Sequence, residues 1–353
     1  MPSRARTFPG QFFWLPALFV LLASGFIGPG TTLPAMAASF DCGKARTPFA
    51  KAICGEAELS KADDDVAAAF RAALDGLSEP AKAEVTKAQD AWVKFANLAC
   101  TKDARLATKP YDSDQLQCLK SVFDERTAQL ARAGAFGGLR VYYVDRYAAL
   151  PDPDPANDGT GVATKSVSTP RIDGTDGEAL AFNHFIETQT AADIDAGLAD
   201  HPAPDSGAED DAAAMLVSRV SDALITLTVN QSSYGHGAAH GNYATTFVHY
   251  LRGPRRRLEA GDVFAVAGWQ DKLRAIVLKD LKDQLAGYLM LDDPKSIDDP
   301  VVDPARWDFS PEGLIIQFEP YEVAPYAAGA PTITVAWADL SDLLAADVDK
   351  LQH

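Results

Sequence analysis

The strongest constraint on this chain is where its cysteines fall. Cys42, Cys54, Cys100 and Cys118 lie within 77 residues, and none occurs in the 235 residues after Cys118. They follow a leader-like segment: Arg4 and Arg6, an apolar run from Phe12 to Ile27 broken once by Pro16, then the small-residue pattern Ala35-Met36-Ala37. The run is about 16 residues, short of the ~20 that span a bilayer, and no later stretch approaches it. Residues 1–37 therefore read as a signal peptide cleaved near Ala37/Ala38. The mature chain is expected in the periplasm or outside the cell, without a membrane span. In an oxidising compartment an even, clustered set of cysteines predicts two disulfides. Local closure, Cys42–Cys54 with Cys100–Cys118, is favoured; the crossed pairing, Cys42–Cys118 with Cys54–Cys100, stays open. A zinc site would need closer ligand pairs, and a cysteine nucleophile would need a histidine, none of which precedes His184.

Hydrophobic period divides the chain, whose 353 residues suit about two domains at ~150 residues each. From 38 to 135 the pattern is helical. Leu59, Val66, Phe70, Ala73 and Leu74 share one stripe, behind the capping-box form Ser60-Lys61-Ala62-Asp63. Val85, Ala88, Trp92, Phe95 and Ala99 share a second, after the start signal Ser78-Glu79-Pro80. Leu116, Leu119, Phe123, Thr127 and Leu130 form a third, with Ser113 as N-cap and Gly134 as the stop. A disulfide-linked three-helix, all-α domain is expected. Residues 136–161 read as a linker, on the strength of the Pro-Asp repeat after Pro151. Counted as a calcium loop from Asp154, that stretch puts Ala156 and Lys165 where oxygen ligands belong, so the EF-hand reading fails.

Residues 162–353 mix periods. Phe182, Phe185 and Ile186 suit a helix, as does Trp269 to Leu285, and a final helix is expected from Asp339. Ala223 to Val229, Tyr243 to Leu251, Leu314 to Phe318 and Thr332 to Trp337 read as strands. Strands in runs with a few helices predict α+β with an antiparallel sheet. The charge divides at the same place. Residues 38–135 hold 15 acids and 14 bases, whereas 136–353 hold 34 acids and 16 bases, a net of −18. Such a surface lacks the basic footprint of a nucleic-acid binder and suits a basic partner.

Two resemblances follow from particular residues. Phe40-Asp41-Cys42, Phe49 to Cys54, Gln89-x-x-Trp92, Cys100, Cys118 and Phe123-x-x-Arg126 resemble the LprI-type lysozyme-inhibitor N-terminal domain, over about residues 40–133. Arg171-Ile172-Asp173-Gly174, Ala181-Phe182-Asn183, Tyr234-x-x-Gly237-Ala238-Ala239-His240, and Phe318-x-Pro320-Tyr321 through Gly329 resemble the extracellular domain of RsiV-type anti-sigma factors. A similar module accompanies some peptidoglycan deacetylases; the likeness covers about 163–345. Departures are Gly241 in place of a proline and Gly253-Pro254-Arg255-Arg256-Arg257 in place of an acidic hairpin turn.

These resemblances imply recognition of lysozyme, a basic protein, rather than catalysis. Aromatic anchors would supply affinity, and Tyr234, Tyr243, Tyr321 and Tyr326 are candidates with His236 and His240. Peptidoglycan is the alternative partner. A metal-dependent envelope hydrolase is the third reading, from His236 and His240 with His249 as a further ligand. No Gly-x-Ser-x-Gly elbow, phosphate loop or His-Glu-x-x-His occurs, and the acidic pairs Asp292-Asp293 and Asp298-Asp299 suit solvated loops. No catalytic, cofactor or metal-binding residue is assigned.

Overall fold

Helix periodicity in the first third is realised as four helices rather than three: α1 (Pro48–Gly55), α2 (Ala57–Leu74), α3 (Glu79–Ala99) and α4 (Ser113–Leu130). The computed structural model describes residues 39–152, 161–190 and 209–352; the signal-peptide reading and Asp154 to Ala156 lie outside them. The extra helix, α1, is started by Thr47, whose hydroxyl accepts from the Ala50 N–H, with Pro48 in the first turn. Ser60 lies inside α2 rather than at its start, so its box with Asp63 caps nothing. The cap of α4 is Asp112, one residue before the expected Ser113. Asp112 accepts from the Gln115 N–H at 3.0 Å while Gln115 accepts from the Asp112 N–H, closing a reciprocal box.

Trp92, Leu119, Phe123, Val66 and Ile53 make the helical core, where Trp92 meets Phe123 edge-on at 5.0 Å. The disulfides are the local pair, Cys42–Cys54 and Cys100–Cys118, each with Cα atoms 5.7 Å apart. All four cysteines pack on that one core.

The first half of the expected linker 136–161 is instead the longest strand among the described residues. β1 (Gly134–Phe136) and β2 (Leu139–Pro151) begin a seven-stranded sheet that continues in order through β3 (Val162–Ile172), β4 (Glu209–Val220), β5 (Leu224–Gly235), β6 (Asn242–Leu251) and β7 (Arg256–Arg257). β2 pairs with β3 from Val141 to Pro151. The composition of Leu-Arg-Val-Tyr-Tyr-Val is that of a strand; the Pro-Asp repeat begins only at its end. The sheet is antiparallel except for β3 and β4, which run parallel over Lys165–Ser168 and Asp211–Ala214. Their connection carries α5 (Gly177–Phe185), as a parallel crossover requires. Phe182, Phe185 and Ile186 pack with Met215, Leu227 and Tyr250 in the core of this sheet.

A second sheet, of three short antiparallel strands, joins β8 (Trp307–Phe309), β9 (Gly313–Gln317) and β10 (Thr332–Ala336). It packs with α6 (Trp269–Leu285) through Leu273, Val277 and Leu281 against Trp307, Leu314 and Ile333. The helix expected from Asp339 is a single turn, Trp337–Leu340. Its continuation is diverted because the backbone of Leu343 and Ala345 bonds to Ala265 and Val263. Among the described residues no helix is long and apolar enough to cross a membrane.

Candidate functional site

The helical unit and the large sheet meet through residues that face one another on α3, α4 and β2. Leu77, Ala81 and Val85 pack against Tyr142. Beside them Arg126 is 1% exposed. Its Nη1 donates to Asp145 Oδ2 at 2.5 Å and to the Tyr147 hydroxyl at 2.8 Å, and its Nε donates to Gln89 Oε1 at 2.9 Å. The Tyr147 hydroxyl in turn donates to Gln129, which donates to Glu125. Burial first, then the Asp145 charge, raises the Tyr147 pKa well above its ordinary value, so the phenol keeps its proton. Phe95 stacks on the same ring at 5.1 Å. From the sheet side, Asp173 accepts from both the N–H and the hydroxyl of Ser78, capping α3 across the boundary. Gly161, at φ +69°, lies where a Cβ would stand 2.0 Å from the Lys102 carbonyl oxygen. The units are docked, not tethered.

Docking leaves a groove of about 530 Å³ between the helices and the sheet, a size that admits a small organic ligand. Strand register fixes its floor. Tyr147 pairs with Ser166, Ser166 with Ala212, Ala212 with Ser232, and Ser232 with Tyr243, so five strands contribute one row in which two tyrosines flank three small residues. Two adjoining hollows of about 300 and 310 Å³ share Ser166, Ala212, Ser232 and Tyr243 with it, and the three form one concavity. Lys165 at its edge is paired with Asp211 at 2.9 Å.

At the sheet end the expected aromatic residues divide. His240, Tyr243, Tyr321 and Tyr326 come together from the β5–β6 turn and the 319–329 loop. His240 stacks on Tyr326 with ring centres 4.1 Å apart, and Tyr321 and Tyr243 lie 5.4 and 6.0 Å from Tyr326. His240 Nδ1 and the Tyr326 hydroxyl both donate to the Gly241 carbonyl, at 2.9 and 2.8 Å, while Nε2 faces the Tyr321 hydroxyl at 3.2 Å. Gly241 is needed in this turn: a Cβ there would stand 2.9 Å from the Ser233 carbonyl. Tyr321 is 52% exposed and holds φ +68°, an uncommon conformation for a bulky residue. Tyr234 sits lower, its hydroxyl donating to the Ala238 carbonyl.

His236 does not belong to that surface. Its side chain is fully enclosed, with Nδ1 2.7 Å from Asp152 Oδ2 and Nε2 3.3 Å from Asp210 Oδ2, so it ties the end of β2 to β4 and cannot meet a macromolecule as proposed from sequence. His249 is buried elsewhere, Nε2 donating to the Trp307 carbonyl and Nδ1 accepting from Thr226. The three histidines thus have separate partners, and among the described residues no group of three or more acidic, histidine or cysteine side chains is placed to hold a metal. Asp293 caps a short turn through the Lys295 N–H, and Asp298 pairs with Arg274. In the basic hairpin, Arg256 makes a bidentate pair with Asp262, and the neighbouring Arg252 pairs with Glu178, so both arginines serve as internal ties.

Sequence reasoning missed the groove because Asp145 and Tyr147 fell in the supposed linker. The available signal was the β-forming run Val141-Tyr142-Tyr143-Val144.

No curated protein matches this chain. Two solved structures resemble part of it: a DUF3298 family member from Bacteroides fragilis, 12% identical, with 62% of this chain and 98% of that one covered and a TM-score of 0.43; and a DUF3298 family protein from Pseudomonas aeruginosa, 16% identical, with 61% and 96% covered and a TM-score of 0.39. Among family models, residues 42–130 match "Lysozyme inhibitor LprI" and residues 261–338 match "Protein of unknown function (DUF3298)". The chain therefore joins an LprI-type segment at its N-terminal end to a DUF3298 segment at its C-terminal end.

Proposed function

We propose that this is an exported protein that binds lysozyme and inhibits it by occupation rather than by chemistry. The observation that carries the reading is the match of residues 42–130 to the lysozyme-inhibitor model. Three features support it. Two disulfides suit an oxidising compartment. Residues 136–353, which form the sheet-bearing part of the chain, carry a net charge of −18, which accelerates encounter with a basic protein. His240, Tyr243, Tyr321 and Tyr326 form a partly exposed aromatic cluster of the composition that anchors interfaces. Within the groove Asp145 is paired with Arg126 and Asp211 with Lys165, an arrangement that suits polar binding contacts.

The test is lysis of a bacterial suspension by animal-type lysozyme in the presence of the mature protein. Lysis slows in proportion to added protein, less so at high salt, and Tyr326→Ala weakens the effect. Undiminished lysis at stoichiometric excess would overturn the proposal. Retention on insoluble peptidoglycan without lysozyme, together with undiminished lysis, would put the cell-wall reading in its place.

A further inference from the structure

The inner end of the groove holds polar atoms that nothing in the lysozyme reading uses. One step along the strands from the Tyr147–Tyr243 row, register places Asp145, Ser168, Ala214, Asn230 and Thr245 in a second row. All five line the inner hollow. Asp145 and Ser168 are 6% and 5% exposed. Among the described residues Asp145 Oδ1 and Ser168 Oγ have no hydrogen-bond partner, and neither has Arg126 Nη2 beside them. Buried polar atoms without partners are costly and therefore uncommon. Asp145 and Ser168 border this hollow, with Arg126 enclosed behind Asp145, and the first two mark a place that can be completed from outside.

The chemistry of the cluster selects its ligand. Asp145 Oδ1 only accepts, and the Ser168 hydroxyl and the Asn230 amide both accept and donate. An ammonium or guanidinium group can only donate, and a carboxylate can only accept; either would leave part of the set unanswered. Hydroxyl and acetamido groups answer both kinds. Charge points the same way, since Asp145 and Arg126 already form an ion pair and a charged ligand gains no net attraction there. The outer row supplies the rest. Tyr147 and Tyr243 stand four inter-strand steps apart, about 19 Å, with only Ser166, Ala212 and Ser232 between them. Tyr243, which is exposed, offers a surface for the C–H face of a pyranose ring, while Tyr147, covered by Phe95, closes the other end of a floor with room for several sugars in a row.

We infer that this groove is a binding site for an uncharged oligosaccharide, with one sugar unit hydrogen-bonded at Asp145, Ser168 and Asn230 and the chain running along the Ser166–Ser232 floor. This site borders the His240–Tyr321–Tyr326 cluster and shares Tyr243 and Tyr326 with its edge, but its ligand is a saccharide, so saccharide and lysozyme binding are read in separate assays.

Titration calorimetry on the mature protein tests it, with chitotetraose as the neutral N-acetylated probe and tetra-arginine and tetra-glutamate as charged controls. Chitotetraose binds, and neither charged peptide does. Asn230→Ala weakens binding several-fold and at most about ten-fold, the effect of one lost hydrogen bond. Asp145 also holds the two units together, so its replacement can unfold the protein. Ser232→Trp is therefore the second variant: it fills the floor without touching Arg126, and abolishes sugar binding while the circular dichroism spectrum stays unchanged. Absence of binding at about 10 mM chitotetraose, preference for either peptide, or full affinity in a folded Ser232→Trp protein would each overturn the inference.

Discussion

Replacing Arg126 by alanine tests whether the two units form one folded body. The guanidinium is enclosed, and the Asp145 side chain opposite it is 5% exposed. Removing the arginine leaves a buried carboxylate without its counter-charge and strips hydrogen bonds from Gln89 and Tyr147. Breaking a buried pair from one side costs about 3–5 kcal/mol, a large share of the roughly 5–15 kcal/mol that stabilises a typical domain. Substituting both partners with apolar residues of similar volume, Arg126→Met with Asp145→Leu, removes the stranded charge and is expected to cost less than the sum of the single changes. The assay is urea unfolding followed by tryptophan fluorescence and by far-ultraviolet dichroism. Trp92 reports on the helical unit, and Trp269, Trp307 and Trp337 report on the remainder. The unmutated protein shows coincident transitions by both signals, and Arg126→Ala shifts the helical transition to lower urea. A loss below about 1 kcal/mol, or two separate transitions in the unmutated protein, would refute the docked arrangement.

Burial holds the His249 pKa down at about 4 against an ordinary 6.5, with Arg219 and Arg257 acting the same way and the Trp307 carbonyl and Asp308 opposing. The unfolded chain therefore takes up the proton first as pH falls. The stability this gives is complete above about pH 6.5 and lost by about pH 4, a change of about 3 kcal/mol; pH-dependent urea midpoints check it, and His249→Gln flattens the curve across that window. Opening either disulfide by paired serine substitution removes a loop of 12 or 18 residues and lowers stability by about 3 kcal/mol each, read from the unfolding midpoint. Gly161→Ala meets both an unfavourable φ and the Lys102 carbonyl, so it should destabilise by more than about 1 kcal/mol; a neutral result in the same unfolding assay would remove that contact from the interface.

The helical stripes were legible because burial in this unit follows one 3.6-residue period: Val85, Ala88, Trp92 and Ala99 are all buried on α3 as their spacing requires. Helix starts were less so, since Ser60 and Ser113 carry cap chemistry but lie one or more residues inside their helices. β4 illustrates the opposite limit. Asp-Ala-Ala-Ala-Met is helix-forming composition, yet it lies between β3 and β5, where sheet pairing outweighs local propensity. The exposed cluster could be anticipated in part: of the four tyrosines singled out, Tyr321 and Tyr326 meet His240 and Tyr243 joins them through Tyr326, because glycine-rich loops bring them together. His236 could not be told from His240 by sequence, since what separates them is enclosure between Asp152 and Asp210, carboxylates 84 and 26 positions away.

The residues that carried the first resemblance have a shared structural role. Gln89, Trp92, Phe123 and Arg126 are spent on the helical core and on the contact with β2, where Asp145 and Tyr147 answer them. A motif of this kind records how an LprI-type helical unit is assembled and docked, whereas the two proposed partner contacts fall on groups outside it: the row from Tyr147 to Tyr243, the orphan atoms of Asp145 and Ser168, and the His240 cluster. The groove walls come from α3 and α4, and its floor from β2 to β6. Neither unit possesses the groove alone, which makes the buried Arg126–Asp145 pair the element on which its shape depends. Cutting the chain between Leu130 and Gly134 would accordingly strand Arg126 and Asp145 on separate pieces, each carrying an uncompensated buried charge, and would dismantle the groove while leaving the His240 cluster on the sheet fragment.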